Sequence, residues 1–312
     1  MTAEIYKSME SQGRVPMSST PRRPVKAQLL GGLGNQLFVY FAARYASEKS
    51  KRPLSLFYSP STNRHSSDIR RFMDFDFEPT HISPLISRAI GLLPRHSKSP
   101  LLARVSHELF RAHKSESVGV DLCIDCIFKR GGYLQGYFQT FEYFDELGGK
   151  ATFDFTLRHP SKRFTHNLSQ VSDRIAVHIR RGDYLDPVNR YIGALSIDYF
   201  VSAVDASRAQ LGRKESVMVF TDDPQSVRTE LLSAGVSGWE VFEADSDITA
   251  EEEMILMSQA KSLVISNSSF SWWAANVGSD KFVVAPHKWF RSGSDPHKLL
   301  RDDWLVTPSS WI

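Results

Sequence analysis

An apolar segment that ends abruptly in charged side chains is the part of this sequence best equipped for chemistry. The run at residues 175–179 includes His178 and leads directly into Arg180, Arg181 and Asp183. In an open parallel sheet the ligand crevice lies beyond the carboxyl ends of the strands, and alternate side chains share a face, so His178 and Arg180 point away from Arg181. A guanidinium stays charged and offers a fork of donors that matches phosphate oxygens. The pattern predicts a diphosphate site; an ion-pair cluster that shields the strand end is the alternative.

A second apolar segment, at residues 262–266, is followed by Asn267, Ser268, Ser269 and Phe270 and then by a stretch compatible with a helix. Hydroxyl groups and uncapped backbone N–H groups at a helix start favour a bound anion. One serine there is explained by helix capping alone. Because several small polar residues stand in a row, we predict that this segment also contributes to the anion site.

The sequence resembles the α-1,2-fucosyltransferases, glycosyltransferase family 11, whose signature is His-x-Arg-Arg-Gly-Asp-Tyr. This signature stands at residues 178–184. Other segments resemble the family in the expected order, at residues 31–38, 136–139 with 143–144, 220–224, 266–273 and 285–290. Each is a weak pattern by itself, but together they form a specific match.

The resemblance implies an α/β, GT-B-like fold, in which two Rossmann-like domains face a cleft. It implies an inverting transfer of L-fucose from GDP-β-L-fucose to a galactoside hydroxyl, in an α-1,2 linkage. The acceptor would be a galactose-containing glycan or lipid-linked oligosaccharide, such as a bacterial surface polysaccharide. The alternatives are another GDP-sugar transferase, such as an O-fucosyltransferase, and a non-catalytic nucleotide-sugar binder.

Positive charge on the leaving diphosphate is expected to contribute most to such a reaction, whose transition state resembles an oxocarbenium ion. Arg180 is the first candidate for this role because it shares a face with His178. Arg181 either assists or locks the loop. Asp183 either acts as the base for the acceptor hydroxyl or orients an arginine. We favour orientation, because neighbouring positive charge makes an acid a poor base.

Acidic residues elsewhere allow two interpretations. Asp222, Asp223 and Asp245 follow predicted strands and are candidates to accept hydrogen bonds from the guanine or ribose, with helix capping as the alternative. Residues 74–76 and 245–247 have the Asp-x-Asp pattern that holds a divalent metal in some glycosyltransferases. Because the two arginines already neutralise a diphosphate, we expect neither a metal nor another cofactor.

A glycine-rich turn follows the first predicted strand. Gly32 and Gly34 allow the backbone to approach a ligand in the cleft, and Asn35 and Gln36 supply hydrogen-bonding groups. A plain strand-to-helix turn is the alternative. An NAD site is not expected, because Leu37 replaces the third glycine of the dinucleotide fingerprint and no acidic residue follows at the required distance.

Hydrophobic periodicity predicts the elements that position these residues. A strand is expected at residues 25–30, with a helix after it. In the second half, strands are expected at 174–180, 216–221, 239–243, 262–266 and 282–285, with helices beginning near 198, 224, 249 and 269. This alternation is typical of a doubly wound parallel sheet.

Three regions are expected along the chain. Residues 1–24 form a flexible tail, residues 25–160 an acceptor-side domain, and residues 161–312 a domain that binds the GDP-sugar, each domain with its own core. Residues 60–130 are the least regular, and only residues 85–110 among them have a helical pattern.

Composition narrows the class of protein. With 312 residues, 41% hydrophobic and 23% charged, the sequence is typical of a globular protein. A net charge of +3 suits a phosphorylated ligand but is too small for a nucleic-acid binder. No apolar run is long enough to span a bilayer. Because animal members of the family that the sequence resembles are anchored in the Golgi membrane, the resemblance without such an anchor favours a bacterial cytoplasmic protein, with peripheral contact at the inner membrane as an option. A truncated eukaryotic enzyme of the Golgi lumen would look the same.

The two cysteines, Cys123 and Cys126, have C-x-x-C spacing. No second pair or histidine cluster completes a zinc site. They are interpreted as structural thiols, which is consistent with a reducing compartment.

Overall fold

The computed structural model describes residues 22–58, 67–78, 112–114, 119–129, 132–212, 215–243, 247–278, 280–296 and 298–312. The strands in these ranges are β1 (Val25–Leu29), β2 (Leu54–Tyr58), β3 (Ala112–Lys114), β4 (Tyr133–Gln135), β5 (Ile175–Ile179), β6 (Val217–Thr221), β7 (Trp239–Val241), β8 (Ser262–Val264), β9 (Phe282–Pro286) and β10 (Leu305–Thr307). The helices are α1 (Leu33–Ser50), α2 (Ile124–Lys129), α3 (Glu142–Glu146), α4 (Lys162–Val171), α5 (Ile197–Leu211), α6 (Pro224–Ser233), α7 (Ala250–Ser258) and α8 (Ser269–Asn276). Short 3-10 turns lie at Ile69–Arg71, Gly119–Asp121, Gly149–Ala151, Gly182–Leu185 and Pro187–Asn189.

The first sheet belongs to the N-terminal half and has the parallel strand order β2-β1-β4-β3. Strand β1 leads through the glycine turn into α1, as predicted. Leu37, Phe38 and Phe41 recur at helical spacing and are buried, and so are nearly all residues from 33 to 46, so α1 is a core helix enclosed on all sides along most of its length.

The second sheet has six parallel strands in the order β10-β9-β8-β5-β6-β7. Helices α5 and α6 cover one face, while α7 and α8 cover the other. Both faces of the sheet are therefore shielded from solvent, which explains why the sequences of β5 and β6 are mostly apolar without alternation. The predicted doubly wound parallel sheet is confirmed. The sequence pattern did not reveal α4 or β10.

The main core joins the two halves of the chain. Phe38 of α1 packs on Trp272 of α8 with ring centroids 4.6 Å apart, and Phe41 stacks on Trp273 at 5.1 Å. All four side chains are buried and belong to one cluster, which also includes Ala176 of β5. A second cluster lies on the opposite face of the second sheet. We expected a separate core on each side of residue 160. In the described residues, the main core instead includes side chains from both halves.

Strand order reverses once in each sheet, and the predicted motifs follow the strands at those reversals. In the first sheet the chain turns back between β1 and β4, which precede residues 31–36 and 136–139. In the second it turns back between β5 and β8, which precede residues 180–184 and 266–270. Ligands of open α/β sheets bind at such topological switch points.

Cys123 and Cys126 are joined in a disulfide, so their interpretation as separate thiols is wrong. The start of α2 places residues three apart on one side, with a Cα–Cα distance of 5.2 Å that suits a disulfide. In the described part of the chain, none of the helices combines the length and apolarity required to cross a membrane. Three expectations lie outside the described residues: most of the N-terminal tail, the helix at 85–110, and Asp245.

Candidate active site

Arg180, at the carboxyl end of β5, is the cationic side chain that the site presents. Its Nη2 donates to Asp183 Oδ1 at 2.7 Å, and its Nη1 lies 3.1 Å from Asp222 Oδ2. About a quarter of the side chain is exposed, at 24%. Burial opposes its charge, yet Asp222 and Asp183 raise the pKa of the guanidinium. Arg180 is thus a fixed cation, held in place by two acids and still accessible to a ligand.

Arg181 has a different environment from its neighbour. Its side chain is completely buried, and its Nη2 and Nε donate to the carboxylate of Glu230 in α6 at 2.6 and 2.8 Å. Its Nη1 donates to the carbonyls of Arg180 and Leu195, each at 3.0 Å. Of the two roles predicted for Arg181, this geometry favours locking the loop. Arg181 faces away from Arg180, as the alternation of side chains along the strand predicted. Its guanidinium is paired with Glu230, so of the two arginines expected to neutralise a diphosphate, Arg180 is the one placed to do so.

His178, on β5, is buried beside the start of α8. Its Nδ1 is 2.8 Å from Ser266 Oγ, and its ring centroid is 5.5 Å from that of Phe270. Burial, with a smaller effect from Arg180, lowers the pKa of His178 to about 3, so the imidazole is neutral near pH 7. His178 therefore offers a neutral hydrogen-bonding ring rather than a positive charge.

The two acids that follow β6, Asp222 and Asp223, have different partners. Asp222 accepts from the backbone N–H of Arg181 at 2.8 Å, in addition to its contact with Arg180. A side chain at Gly182 would collide with the Asp222 carboxylate, which explains the glycine in the signature. Asp223 instead caps α6, accepting from the N–H and hydroxyl of Ser226 at 3.1 and 2.7 Å. The capping alternative thus accounts for Asp223.

Two residues of the segment after β8 support the scaffold. Asn267 is buried, and its Nδ2 donates to the carbonyls of Gly193 and Trp289, both at 3.0 Å. Its Oδ1 has no hydrogen-bond partner among the described residues. Ser268 caps α8 by accepting from the N–H of Phe270 at 3.3 Å. These contacts fix the loop, while Ser269 begins the helix.

The starts of α1 and α8 meet at Gly34. A Cβ atom on Gly34 would lie only 2.6 Å from the backbone nitrogen of Phe270 and would also overlap the backbone of Ser269. Glycine is therefore required by the close approach of two helices. Because each helix start carries partial positive charge, the junction of the two starts favours a bound anion. Gly32 precedes α1 as its N-cap residue.

The two amides of the glycine turn point in different directions. Asn35 Oδ1 accepts from Gln139 Nε2 at 2.9 Å, which links the two motifs at the switch point of the first sheet. Gln36 is buried, and its Nε2 donates to the carbonyls of Gly31 and Ser67 at 3.0 and 3.3 Å. Asn35 thus lies where a cleft ligand can reach it, whereas Gln36 supports the turn. Phe138, before Gln139, has a φ of 53°, an uncommon conformation that the surrounding core must hold in place.

One residue near the arginine was missed by the sequence analysis. Glu253, in the first turn of α7, interacts electrostatically with Asp222 and Arg180. Burial and Asp222 raise the pKa of Glu253 to about 7, although Arg180 opposes this. Its run of three glutamates was a visible signal, but a helix start rich in acids is common and does not single out one of them. Within the described residues, no cluster of three or more His, Cys, Asp or Glu side chains could hold a metal ion.

Comparison with known proteins identifies the family of this chain. The family model described as Glycosyl transferase family 11 matches residues 111–306, well over half of the chain. The O-antigen biosynthesis glycosyltransferase WbnK of Escherichia coli is 28% identical over 302 residues, covering 89% of this chain and 98% of the relative. An alpha-1,2-colitosyltransferase of Escherichia coli is 25% identical over 284 residues, covering 85% and 92%.

Among solved structures, fucosyltransferase NodZ from Bradyrhizobium aligns with a TM-score of 0.45 and 12% identity, covering 80% of this chain and 92% of that chain. The two parallel α/β sheets have the architecture of a GT-B-like fold. The family match makes the assignment specific: this chain belongs to glycosyl transferase family 11.

Proposed function

We propose that this protein is an inverting α-1,2-fucosyltransferase that moves L-fucose from GDP-β-L-fucose to a hydroxyl of a galactose-containing glycan. The observation that carries the proposal is the position of Arg180, which follows β5 at the switch point of the second sheet, next to the strand β8 that leads into α8. A diphosphate is the part of a nucleotide sugar that such a site attracts most strongly.

Departure of GDP is the step that this arrangement assists. As the bond between the anomeric carbon and the β-phosphate oxygen breaks, negative charge grows on the diphosphate. Arg180 is held by Asp183 and Asp222 before the ligand arrives, so little reorganisation accompanies the reaction. The N–H groups at the start of α8 add a second source of positive potential. Because these groups supply the compensating charge, the proposal includes no metal.

The acceptor enters from the side of the first sheet. The pair formed by Asn35 and Gln139 lies at the switch point there and offers amide groups suited to sugar hydroxyls. Attack on the face of fucose opposite to GDP converts the β-linked donor into an α-linked product. The α-1,2 linkage and a surface polysaccharide acceptor are supported by the names of the two bacterial relatives.

Asp183 acts in this scheme by orienting Arg180. Its Oδ1 accepts from both Nε and Nη2 of that arginine, at 3.2 and 2.7 Å. An acid engaged in this way is poorly suited to remove a proton from the acceptor. The scheme therefore leaves the acceptor proton to another group or to solvent.

A binding experiment tests the donor assignment. GDP and GDP-fucose should each raise the melting temperature in the presence of EDTA, because a ligand that binds only the native state stabilises it. A UDP-sugar that stabilises the protein while GDP does not would refute the nucleotide. GDP-mannose that outperforms GDP-fucose as a substrate would refute the sugar and favour a different GDP-sugar transferase. Binding of GDP-fucose without turnover on any galactoside would favour the non-catalytic alternative.

A further inference from the structure

The loop that follows the arginine pair carries large apolar side chains into solvent. Val188 is 79% exposed, and Leu185 and Tyr191 are about half exposed. These three share one short loop, although the described part of the chain has only eight exposed large apolar side chains in all. Apolar side chains grouped on a surface in this way mark a contact site.

The loop is built from tight turns that fix where its side chains point. A 3-10 turn lies at Pro187–Asn189, and the N–H of Ile192 donates to the carbonyl of Asn189 at 2.8 Å. Residues three apart in such turns lie on the same side, which places Val188 and Tyr191 together. Their outward position is therefore set by backbone hydrogen bonds.

A second loop, which follows β9, lies against the first and adds to the same surface. The rings of Phe290 and Tyr191 have centroids 6.1 Å apart. The backbone N–H of Arg291 donates to the carbonyl of Ile192 at 3.0 Å. Asn267, directly before the N-cap residue of α8, holds both loops through its side-chain amide. The surface thus adjoins the edge of the second sheet at which we propose that the donor binds.

Positive charge accompanies the apolar side chains. Arg190, Lys288 and Arg291 are exposed, and none of them forms an ion pair with a described residue. Beyond the ion-paired site itself, the nearby acids are Asp186 and Asp295. Asp295 accepts two backbone hydrogen bonds within its own loop. Three cations and two acids leave the surface with a net positive charge.

We propose that this docking surface, formed by the side chains of Leu185, Val188, Tyr191 and Phe290 with the three cations, binds an anionic lipid bilayer. Apolar side chains enter the boundary between headgroups and acyl chains, while neighbouring cations attract anionic headgroups. Docking holds the site above the headgroups, where a lipid-linked acceptor presents its sugars. Vesicle binding does not depend on the proposed function, whereas its consequence for turnover rests on it.

Other occupants match the docking surface less well. A stable dimer interface buries roughly 800 Å² on each partner, from about 20–30 residues, whereas this surface has four large apolar side chains. An acceptor glycan is also a poorer match, because Leu185 and Val188 have no side-chain groups that hydrogen-bond to hydroxyls. A bilayer requires apolar side chains and positive charge, and the surface combines both.

Co-sedimentation with vesicles tests the proposal. Vesicles of equal parts phosphatidylglycerol and phosphatidylethanolamine provide an anionic bilayer, and phosphatidylcholine vesicles provide a neutral one. The wild type should bind the anionic vesicles more tightly, and added salt should weaken this binding. Absence of binding to the anionic vesicles would overturn the proposal.

Variants then locate the contact. The double substitution Leu185→Ser with Val188→Ser should lower the partition coefficient roughly tenfold or more, and Arg190→Gln should lower it roughly fivefold. Leu232→Ser is the matched control, because Leu232 is also 79% exposed but lies on α6, outside the docking surface. Val188→Ser alone, at the most exposed position, provides the same test if the double variant does not fold.

Turnover separates docking from catalysis. With a galactose-terminated glycolipid in the anionic vesicles, the double variant should lose roughly tenfold in kcat/KM. With a galactoside free in solution it should keep the wild-type rate, since neither substituted side chain belongs to the site.

Several results would overturn the assignment. The double variant could bind anionic vesicles as the wild type does, or Leu232→Ser could weaken binding equally. A dimer in light scattering that only the double variant loses would make a second copy of the chain the occupant. Slower reaction of the free galactoside with unchanged vesicle binding would place the acceptor glycan on this surface. Because docking is measured without donor or acceptor, its failure is distinct from failure of fucosyl transfer.

Discussion

Replacing Glu230 by glutamine tests the contrasting roles of the two adjacent arginines. Arg181 is completely buried, and its guanidinium is paired with Glu230 through contacts of 2.6, 2.8 and 3.1 Å. Glu230→Gln keeps the size of the side chain and one acceptor oxygen but removes the negative charge. We therefore expect the native state to lose stability while the accessible surface around Arg180 keeps its shape.

The size of the effect follows from the burial of the pair. Leaving a buried charge without its partner costs about 3–5 kcal/mol. Glu230 is 29% exposed, so water reaches part of the pair, and glutamine still accepts one hydrogen bond. We expect a loss near the lower limit, about 2–3 kcal/mol in the free energy of unfolding. For a chain of 312 residues, that corresponds to roughly 3–5 °C in melting temperature.

Urea unfolding and GDP calorimetry on the same variant provide the assay. Glu243→Gln is the control, because its carboxylate also pairs with an arginine, Arg228, but is 70% exposed. A surface pair of this kind contributes about 0–1 kcal/mol, so the control should unfold almost like the wild type. If Glu230→Gln kept wild-type stability but lost GDP affinity, Arg181 would be a ligand contact and the reasoning would be wrong.

The remaining predictions concern the site itself. Arg180→Lys should lower kcat roughly tenfold or more and Arg180→Ala by roughly 10²–10³, with the fold retained. Near-normal turnover in a folded alanine variant would shift the role elsewhere. Gly34→Ala should lower the free energy of unfolding by about 1–3 kcal/mol and also lower turnover, because the new Cβ would lie 2.6 Å from the Phe270 nitrogen. A variant with the melting temperature of the wild type would contradict the close contact between the two helices. Asp183→Asn should weaken GDP-fucose binding, whereas a drop of about 10²–10⁴ in kcat at constant affinity would identify it as the base. Because burial raises the pKa of Glu253 from 4.5 to about 7, its contribution to the free energy of unfolding should fall as pH rises through this range, and Glu253→Gln should remove that part of the dependence; identical pH profiles of stability for the two proteins would contradict it.

The sequence predicted the second sheet well, because its strands are buried on both faces and alternate regularly with helices. The position of Arg180 at a strand end followed from the same pattern. The alternation of side chains along a strand also predicted that Arg181 faces away from Arg180. This alternation does not predict which residue Arg181 meets on the other face. Its partner, Glu230, is 49 residues away, on a helix whose position depends on how the chain crosses between strands.

Three features depended on tertiary packing. The aromatic residues of α1 and α8 form one core across the two halves, which no local pattern reveals. Gln36 turns inward because Gly31 and Ser67 offer carbonyls there, while its neighbour Asn35 turns toward Gln139. Glu253 differs from the two glutamates before it only in what lies opposite, so sequence periodicity gives no reason to select it.

Turnover with a defined donor and acceptor tests whether the protein transfers fucose from GDP-fucose to a galactoside. Wild-type protein is incubated with GDP-fucose and a β-galactoside in EDTA, GDP release is measured, and the linkage of the product is determined by NMR. We expect GDP release together with fucose α-linked to the 2-hydroxyl of galactose, and a rate for Arg180→Ala that is lower by roughly 10²–10³. Absence of transfer from GDP-fucose, when a UDP-sugar or an added divalent metal restores it, would refute the proposed function.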